Sequence, residues 1–273
     1  MKKKFIGLFF FLFLIPCWAQ QDSIQMIAVQ YNYVVRGNAT KQVTFKADYD
    51  MIVVPDHQVS IYDEKVENEN LKERPTNDGI INWKPKGRNL ETVYKNYGTN
   101  EMFLKDIIDM RFFVQKDSLN IFNWDIKEQT KIILGYSCQL AITSFRGRSY
   151  EAWFTAVLPD AGPWKFGNLP GLILAVKSSD EYVSWEAVGM SVKNVSSEFK
   201  MPENPFQLDK FLTWSEFKAL YKQKAIAASK YATEKGPGFS IITPRMQIQR
   251  YIEDNDTDYT ADKEFEKEEN SKK

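Results

Sequence analysis

The sequence predicts a mainly β chain of the α+β class: a curved antiparallel sheet or half-barrel with one C-terminal helix packed on it. Three observations carry this. Apolar and polar residues alternate at period two in several runs. Stiff bends containing Gly, Pro or Asn separate those runs by only a few residues. Aromatic residues make up 14% of the chain. Alternation turns one side of each run toward a core. Short bends join antiparallel neighbours, whereas parallel strands need long crossovers. Phe, Tyr and Trp favour pleated, half-buried surfaces.

The first element is not part of that sheet. Lys2, Lys3 and Lys4 precede an apolar run over 5–15, Pro16 breaks the run, and Ala19 supplies a small residue for cleavage. These are the parts of a secretory signal, and the run is shorter than the ~20 residues a membrane-crossing helix needs. Cleavage after Ala19 is expected, with the mature chain periplasmic or secreted and carrying no transmembrane span. The alternative is a lipid anchor on Cys17, since Leu14-Ile15-Pro16-Cys17 resembles a lipobox. Proline before the cysteine counts against it. The organisation that follows is a signal peptide at 1–19, one antiparallel β-rich domain at 20–250, and a charged tail at 251–273 expected to be disordered.

Within the domain, residues 26–35 set Val29, Tyr31, Tyr33 and Val35 at every second position, a half-buried strand. Residues 49–62 hold two short apolar runs around Pro55-Asp56-His57, a hairpin signal. Residues 63–75 are polar, without a period, and read as a loop. Strand-like runs return at 92–97, 110–115, 121–126, 132–145 and 149–157, the last two joined through Arg146-Gly147-Arg148. A further hairpin pairs 172–177 with 182–188 through Ser178-Ser179-Asp180. The helix is expected at about 213–232, capped by Thr213 or Ser215. Trp214, Phe217, Leu220, Tyr221 and Ala225 form its stripe, and Gly236-Pro237-Gly238 ends it.

The stretch 162–173 is the densest in turn chemistry. Pro170-Gly171 suits a type II turn, Gly162-Pro163 makes a second bend, and Asn168 tolerates left-handed backbone. Trp164 and Phe166 are placed to clamp this loop onto the sheet, with Trp153 a candidate partner. It reads either as a rigid connector or as a pre-organised lip for a ligand. Asn168-Leu169-Pro170-Gly171-Leu172-Ile173 resembles the signature of the GLPGLI family, exported proteins of Gram-negative bacteria. Supporting blocks are Gly135-Tyr136-Ser137-Cys138 with Ala141, Phe145-Arg146-Gly147-Arg148-Ser149-Tyr150, Ala152-Trp153-Phe154-Thr155, and Gly162-Pro163. Asn168 stands where that signature has glycine, and Leu140 where a basic residue is expected. The resemblance implies an envelope protein of uncharacterised activity, in some cases found beside TonB-dependent outer-membrane receptors. It supplies no catalytic residues.

Chemistry is thin in the remaining residues. A formal net charge of zero argues against nucleic acid, whose phosphates need a basic excess. His57 is the sole histidine, which excludes multi-imidazole zinc sites and HExxH proteases. No GxSxG elbow is present. No catalytic residue, metal ligand or cofactor is therefore nominated. Arg146 and Arg148 alternate onto one face where they could grip a carboxylate or phosphate, or simply form surface ion pairs, Glu151 being one candidate. Trp153, Trp164 and Phe166 complete the candidate binding residues. Two functions follow: a non-enzymatic envelope protein binding an apolar ligand, a peptide or an outer-membrane transport partner, or a periplasmic hydrolase using a carboxylate pair or Cys138 with His57.

Overall fold

The twelve strands found among the described residues form one sheet, largely antiparallel. The computed structural model describes residues 23–36, 41–64, 92–108, 111–196, 199–206 and 210–235. The signal segment with Cys17 and Ala19, most of the loop expected at 63–75, the Gly236-Pro237-Gly238 stop and the charged tail lie outside them. The strands are β1 (Ser23–Arg36), β2 (Val43–Val54), β3 (Val59–Glu64), β4 (Val93–Asn96), β5 (Glu101–Ile108), β6 (Arg111–Ser118), β7 (Asp125–Ile133), β8 (Tyr136–Phe145), β9 (Arg148–Thr155), β10 (Leu172–Ser178), β11 (Val183–Ser196) and β12 (Phe211–Thr213), followed by helix α1 (Trp214–Lys235). Their order across the sheet is β12-β6-β5-β4-β3-β2-β1-β11-β10-β9-β8-β7. Every pairing is antiparallel except β12 on β6.

Period two decides what each strand buries. In β1, Ile27, Val29, Tyr31, Tyr33 and Val35 face inward and are buried. The hairpin of β2 and β3 turns through a 3-10 helix at Pro55–His57, with Gln58 left-handed at φ 54°. Several elements differ from the sequence reading: residues 121–124 of the run expected at 121–126 are not in a strand, β7 beginning only at Asp125, and β12 has no counterpart among the expected runs. The run 132–145 is the end of β7 and all of β8, split by Leu134 (φ 49°) and Gly135 (φ 83°). Positive φ at both central residues is the backbone of a two-residue hairpin turn. β5 has no counterpart in the expected runs, because Glu101-Met-Phe-Leu-Lys-Asp-Ile-Ile breaks alternation; its Phe103 is buried on the opposite face from Met102 and Leu104.

One loop shows how strongly the sheet curls. Phe166 packs edge-on to Tyr150 of β9 at 5.2 Å and to Trp185 of β11 at 5.1 Å. Its carbonyl accepts a hydrogen bond from Lys95 of β4. β4 and β9 are six strand spacings apart, about 28 Å in a flat sheet at ~4.7 Å per strand. Only a strongly curved sheet brings both to one residue. Register shifts at Gln30/Tyr31, Val35/Arg36 and Ile173/Ala175 supply bulges of the kind that bend strands. The inner face carries the large core, and a smaller cluster of Val54, Val59, Tyr94, Phe103 and Phe206 covers the other face of β2–β5.

α1 begins with the reciprocal cap that its Thr213-x-x-Glu216 spacing allows. The Thr213 amide donates to Glu216 Oε2 at 2.8 Å, and the Glu216 amide donates to Thr213 Oγ1 at 3.3 Å. Phe217 is buried and Trp214 stacks on it at 5.7 Å, so the first turns seat the helix against β5, β6 and β12. No helix among the described residues is long and apolar enough to cross a membrane.

Candidate functional site

The inner face of the curled sheet changes character across its width. Cross-strand pairing sets Ser60, Lys95, Met102 and Asp117 in one row over β3, β4, β5 and β6. Gln115, paired with Leu104, and Asp106 share that inward parity. All of these polar groups are buried beneath loop 160–171 and helix α1. A buried charge needs a partner, and each finds one in the loop or the β8–β9 turn.

Lys95 Nζ donates to the Gly162 carbonyl at 2.9 Å and to the Phe166 carbonyl, pinning both arms of the doubled-back loop. Burial lowers its pKa to about 7, with the charge of Asp160 opposing the shift. Burial in turn raises the Asp160 carboxyl, against the pull of Lys95 and of the Asn168 and Leu169 amides. Asp160 Oδ2 accepts from the Asn168 amide at 3.0 Å, while Oδ1 has no hydrogen-bond partner among the described residues. Beside this pair, Tyr97 lies 3.1 Å from Ser60 Oγ, and burial pushes its phenol upward.

Lys165 forms the second post. It is 1% exposed, and its ammonium sits 3.5 Å from Gln115 Oε1. Burial first, then the neighbouring Arg146 charge, lower its pKa to about 8, against Asp106 and Asp117. Arg146 Nη2 lies 3.6 Å from Asp117 Oδ2, and its guanidinium is sandwiched between Trp214 at 3.5 Å and Phe145 at 4.5 Å. Lys95, Gln115, Arg146 and Lys165 of this layer are buried, and Asp117 and Asp160 are half-buried as whole residues. The layer clamps loop and helix onto the sheet.

The bends in the loop come from close approach as much as from φ. Trp164 and Asn168 are left-handed at φ 47° and 63°, and the Phe166 amide closes a turn on the Pro163 carbonyl at 3.0 Å. Left-handed backbone at a tryptophan is strained, and stacking on Trp185 at 5.9 Å and 16° holds it there. Pro170-Gly171 does not form a type II turn. The Gly171 amide donates to the Leu169 carbonyl at 2.7 Å, a three-residue turn, and Gly171 lies at φ 158°, nearly extended. Glycine is required there because a Cβ would fall 2.1 Å from the Thr155 carbonyl oxygen. At Gly162 a Cβ would lie 2.8 Å from the Phe166 carbonyl.

The residues nominated from sequence separate into two places. Trp164 and Phe166 belong to the inner core, where Trp185 takes the partner's role considered for Trp153. Arg146 joins the Asp117 layer. Arg148 turns away from it to pair with Asp180 and lie over the Tyr182 ring at 4.1 Å. The two arginines therefore do not converge on one ligand, and Glu151 pairs with Lys177 at 3.3 Å instead of with either. Cys138 is sealed in the core of β8 and burial pushes its thiol up, while His57 is exposed at the β2–β3 corner, five strands away. Nucleophile and base are not assembled. Among the described residues no three His, Cys, Asp or Glu side chains converge as metal ligands. Lys95, Asp160, Lys165 and Asp117 went unnoticed in the sequence. Val93, Lys95 and Tyr97 do share one parity, but a lysine in a strand ordinarily faces water.

Trp153 has the opposite parity from Ala152 and Phe154, so it stands on the outer face. Pairing there sets Glu186 of β11, Ala175 of β10, Trp153 of β9 and Leu140 of β8 in one row. The next row holds Ser184, Lys177 and Glu151. Ala175, small between two large neighbours, leaves a notch beside the indole. The resulting cleft measures about 360 Å³ and extends to Arg36 and Lys41. Lys131 of β7 lies over the Trp153 ring at 4.3 Å. An aromatic wall with a few placed polar groups is the usual make-up of a small-ligand site.

Comparison with known proteins corrects the family expected from the central motif. The sequence matches the family described as "N-glycanase peptide, N-terminal domain" over residues 29–215. That match displaces the resemblance to GLPGLI proteins. With it falls the reading as a non-enzymatic envelope protein that binds an apolar ligand, peptide or transport partner. Two solved structures of PNGF-II resemble the chain. One, in a C2 crystal form, is 18% identical with a TM-score of 0.43, covering 66% of this chain and 28% of that one. The other, in a P21 form, is 16% identical with a TM-score of 0.48, covering 74% and 34%. The chain thus spans about a third or less of those proteins' length. No curated protein matches the sequence. The family match runs from the inward-facing Val29 of β1 to the first turn of α1, takes in every other strand, and shows that the chain belongs to the family of N-glycanase N-terminal domains.

Proposed function

We propose that the chain serves the enzymatic processing of glycoproteins, holding the glycan in the outer-face cleft beside Trp153. The family's description supplies the substrate class, and the cleft supplies a surface suited to it. Sugars present C–H faces that pack on aromatic rings and hydroxyls that exchange hydrogen bonds with charged and amide groups. The observation that carries the reading is the half-buried Trp153 ring bordered by Ser184, Glu186 and Lys177 in an open notch. The same reading keeps the exported location expected from the N-terminal segment, where glycoproteins are met.

Titrating the protein with a biantennary N-glycan released from its peptide tests this. Binding is expected in the micromolar-to-millimolar range, with Trp153→Ala removing it while circular dichroism and melting stay close to the parent. Undiminished binding by Trp153→Ala would move the site elsewhere. No binding of any glycan by the parent would overturn the reading.

A further inference from the structure

The cleft beside Trp153 has a local excess of positive charge in a chain that is balanced overall. Across the whole sequence, 36 basic residues balance 36 acidic ones. Around the cleft, Arg36, Lys41, Lys131 and Lys177 face only Glu181 and Glu186. Lys177 is answered by Glu151 at 3.3 Å. The other three cations have no carboxylate partner among the described residues. Arg36 Nη1 donates to Ser184 Oγ at 3.3 Å, Lys41 to the backbone carbonyl of Asp180, and Lys131 lies over the indole face.

These contacts are neutral, so each cation keeps most of its charge for something else. Their placement is directional as well. Lys131 approaches from the β7 side of Trp153, Arg36 and Lys41 from the far end of β1, with Ala175 making room between them. A planar guanidinium and two ammonium groups around an aromatic floor suit a ring that carries an anionic substituent. We infer that the cleft is selective for acidic saccharides, sugars bearing a carboxylate or sulfate, over their neutral counterparts. The ring packs on Trp153, and the anion is held by Arg36 with Lys41 or by Lys131. This rests on the reading of the cleft as a glycan site and narrows its substrate class.

The test compares one biantennary N-glycan with and without its terminal sialic acids, by calorimetry at low and at physiological salt. The sialylated form is expected to bind about tenfold tighter at low salt, the advantage shrinking as salt screens the charges. Arg36→Gln with Lys131→Gln should bring the ratio toward one. A sulfated lactose and plain lactose form the second pair of arms and separate carboxylate recognition from recognition of any anionic sugar. Equal binding of both members of each pair would overturn the acidic preference and leave the glycan site standing. Sodium sulfate alone competing as well as the sulfated sugar would show an ion site without a saccharide component, and also overturn it. Absence of binding to any sugar would remove the glycan reading and this inference together.

Discussion

Glycine at position 171 is required for a steric reason. At φ 158° the backbone lies at the edge of what L residues adopt, and, more severely, a Cβ would fall 2.1 Å from the Thr155 carbonyl oxygen. Gly171→Ala should therefore destabilise the domain by about 1–3 kcal/mol, the scale of overpacking a tight site. The urea midpoint measures it, and a change below a few tenths would mean that the loop simply shifts. Gly135 is the converse: no atom lies within 4 Å, yet φ is 83°. There Gly135→Asn should be tolerated better than Gly135→Val, because asparagine enters left-handed backbone more readily. Arg146 is the third test at this scale. Arg146→Ala leaves Asp117 buried without its cation, and a loss of about 3–5 kcal/mol is expected. A loss well under 1 kcal/mol would show that water reaches the layer.

The elements differ in how much their own residues decide. β1 and β9 alternate cleanly, so both strands were legible, yet the sequence reading pairs Trp153 with Trp164 and Phe166 although its parity against Ala152 and Phe154 turns it to the outer face. β5 was not legible, because both of its faces are covered and a strand buried on both sides loses the period-two signal. The split between β7 and β8 was signalled by Gly135 alone. α1 starts just after Thr213, the first of the two expected caps, which exchanges hydrogen bonds with Glu216. Thr213→Ala should cost about 1 kcal/mol, read as a lower melting temperature. Equal stability would mean that Phe217 and Trp214 alone set the start.

At the scale of the whole molecule, the buried lysines set an unusual pH response. Lys95 and Lys165 have pKa values lowered to about 7 and about 8 from 10.5. Between those values and 10.5 the unfolded chain binds more protons than the folded one. Stability should therefore rise with pH from about 7 toward 10. Above 10 the trend reverses, since burial raises the Tyr31 and Tyr97 phenols and keeps them protonated only in the folded state. Urea midpoints at pH 7, 8.5 and 9.5 check this; a flat profile would mean that both ammonium groups are solvated. Lys165→Met should flatten part of the rise. Cys138, sealed in the core, should react with a thiol reagent only on unfolding, and fast labelling of the native protein would contradict its placement.

Alternating aromatic and branched residues with short bends between them were enough to determine a largely antiparallel sheet, most of its strands and the start of its helix. Those are local properties, written within a few residues of one another. What covers what was decided only by the curl of the sheet. The curl brings β4 to the loop before β10, matches Lys95, Lys165 and Arg146 with their distant partners, and leaves Trp153 outside beside Arg36 and Lys131. Residues more than a hundred positions apart meet in that cleft, and no local pattern records such a meeting.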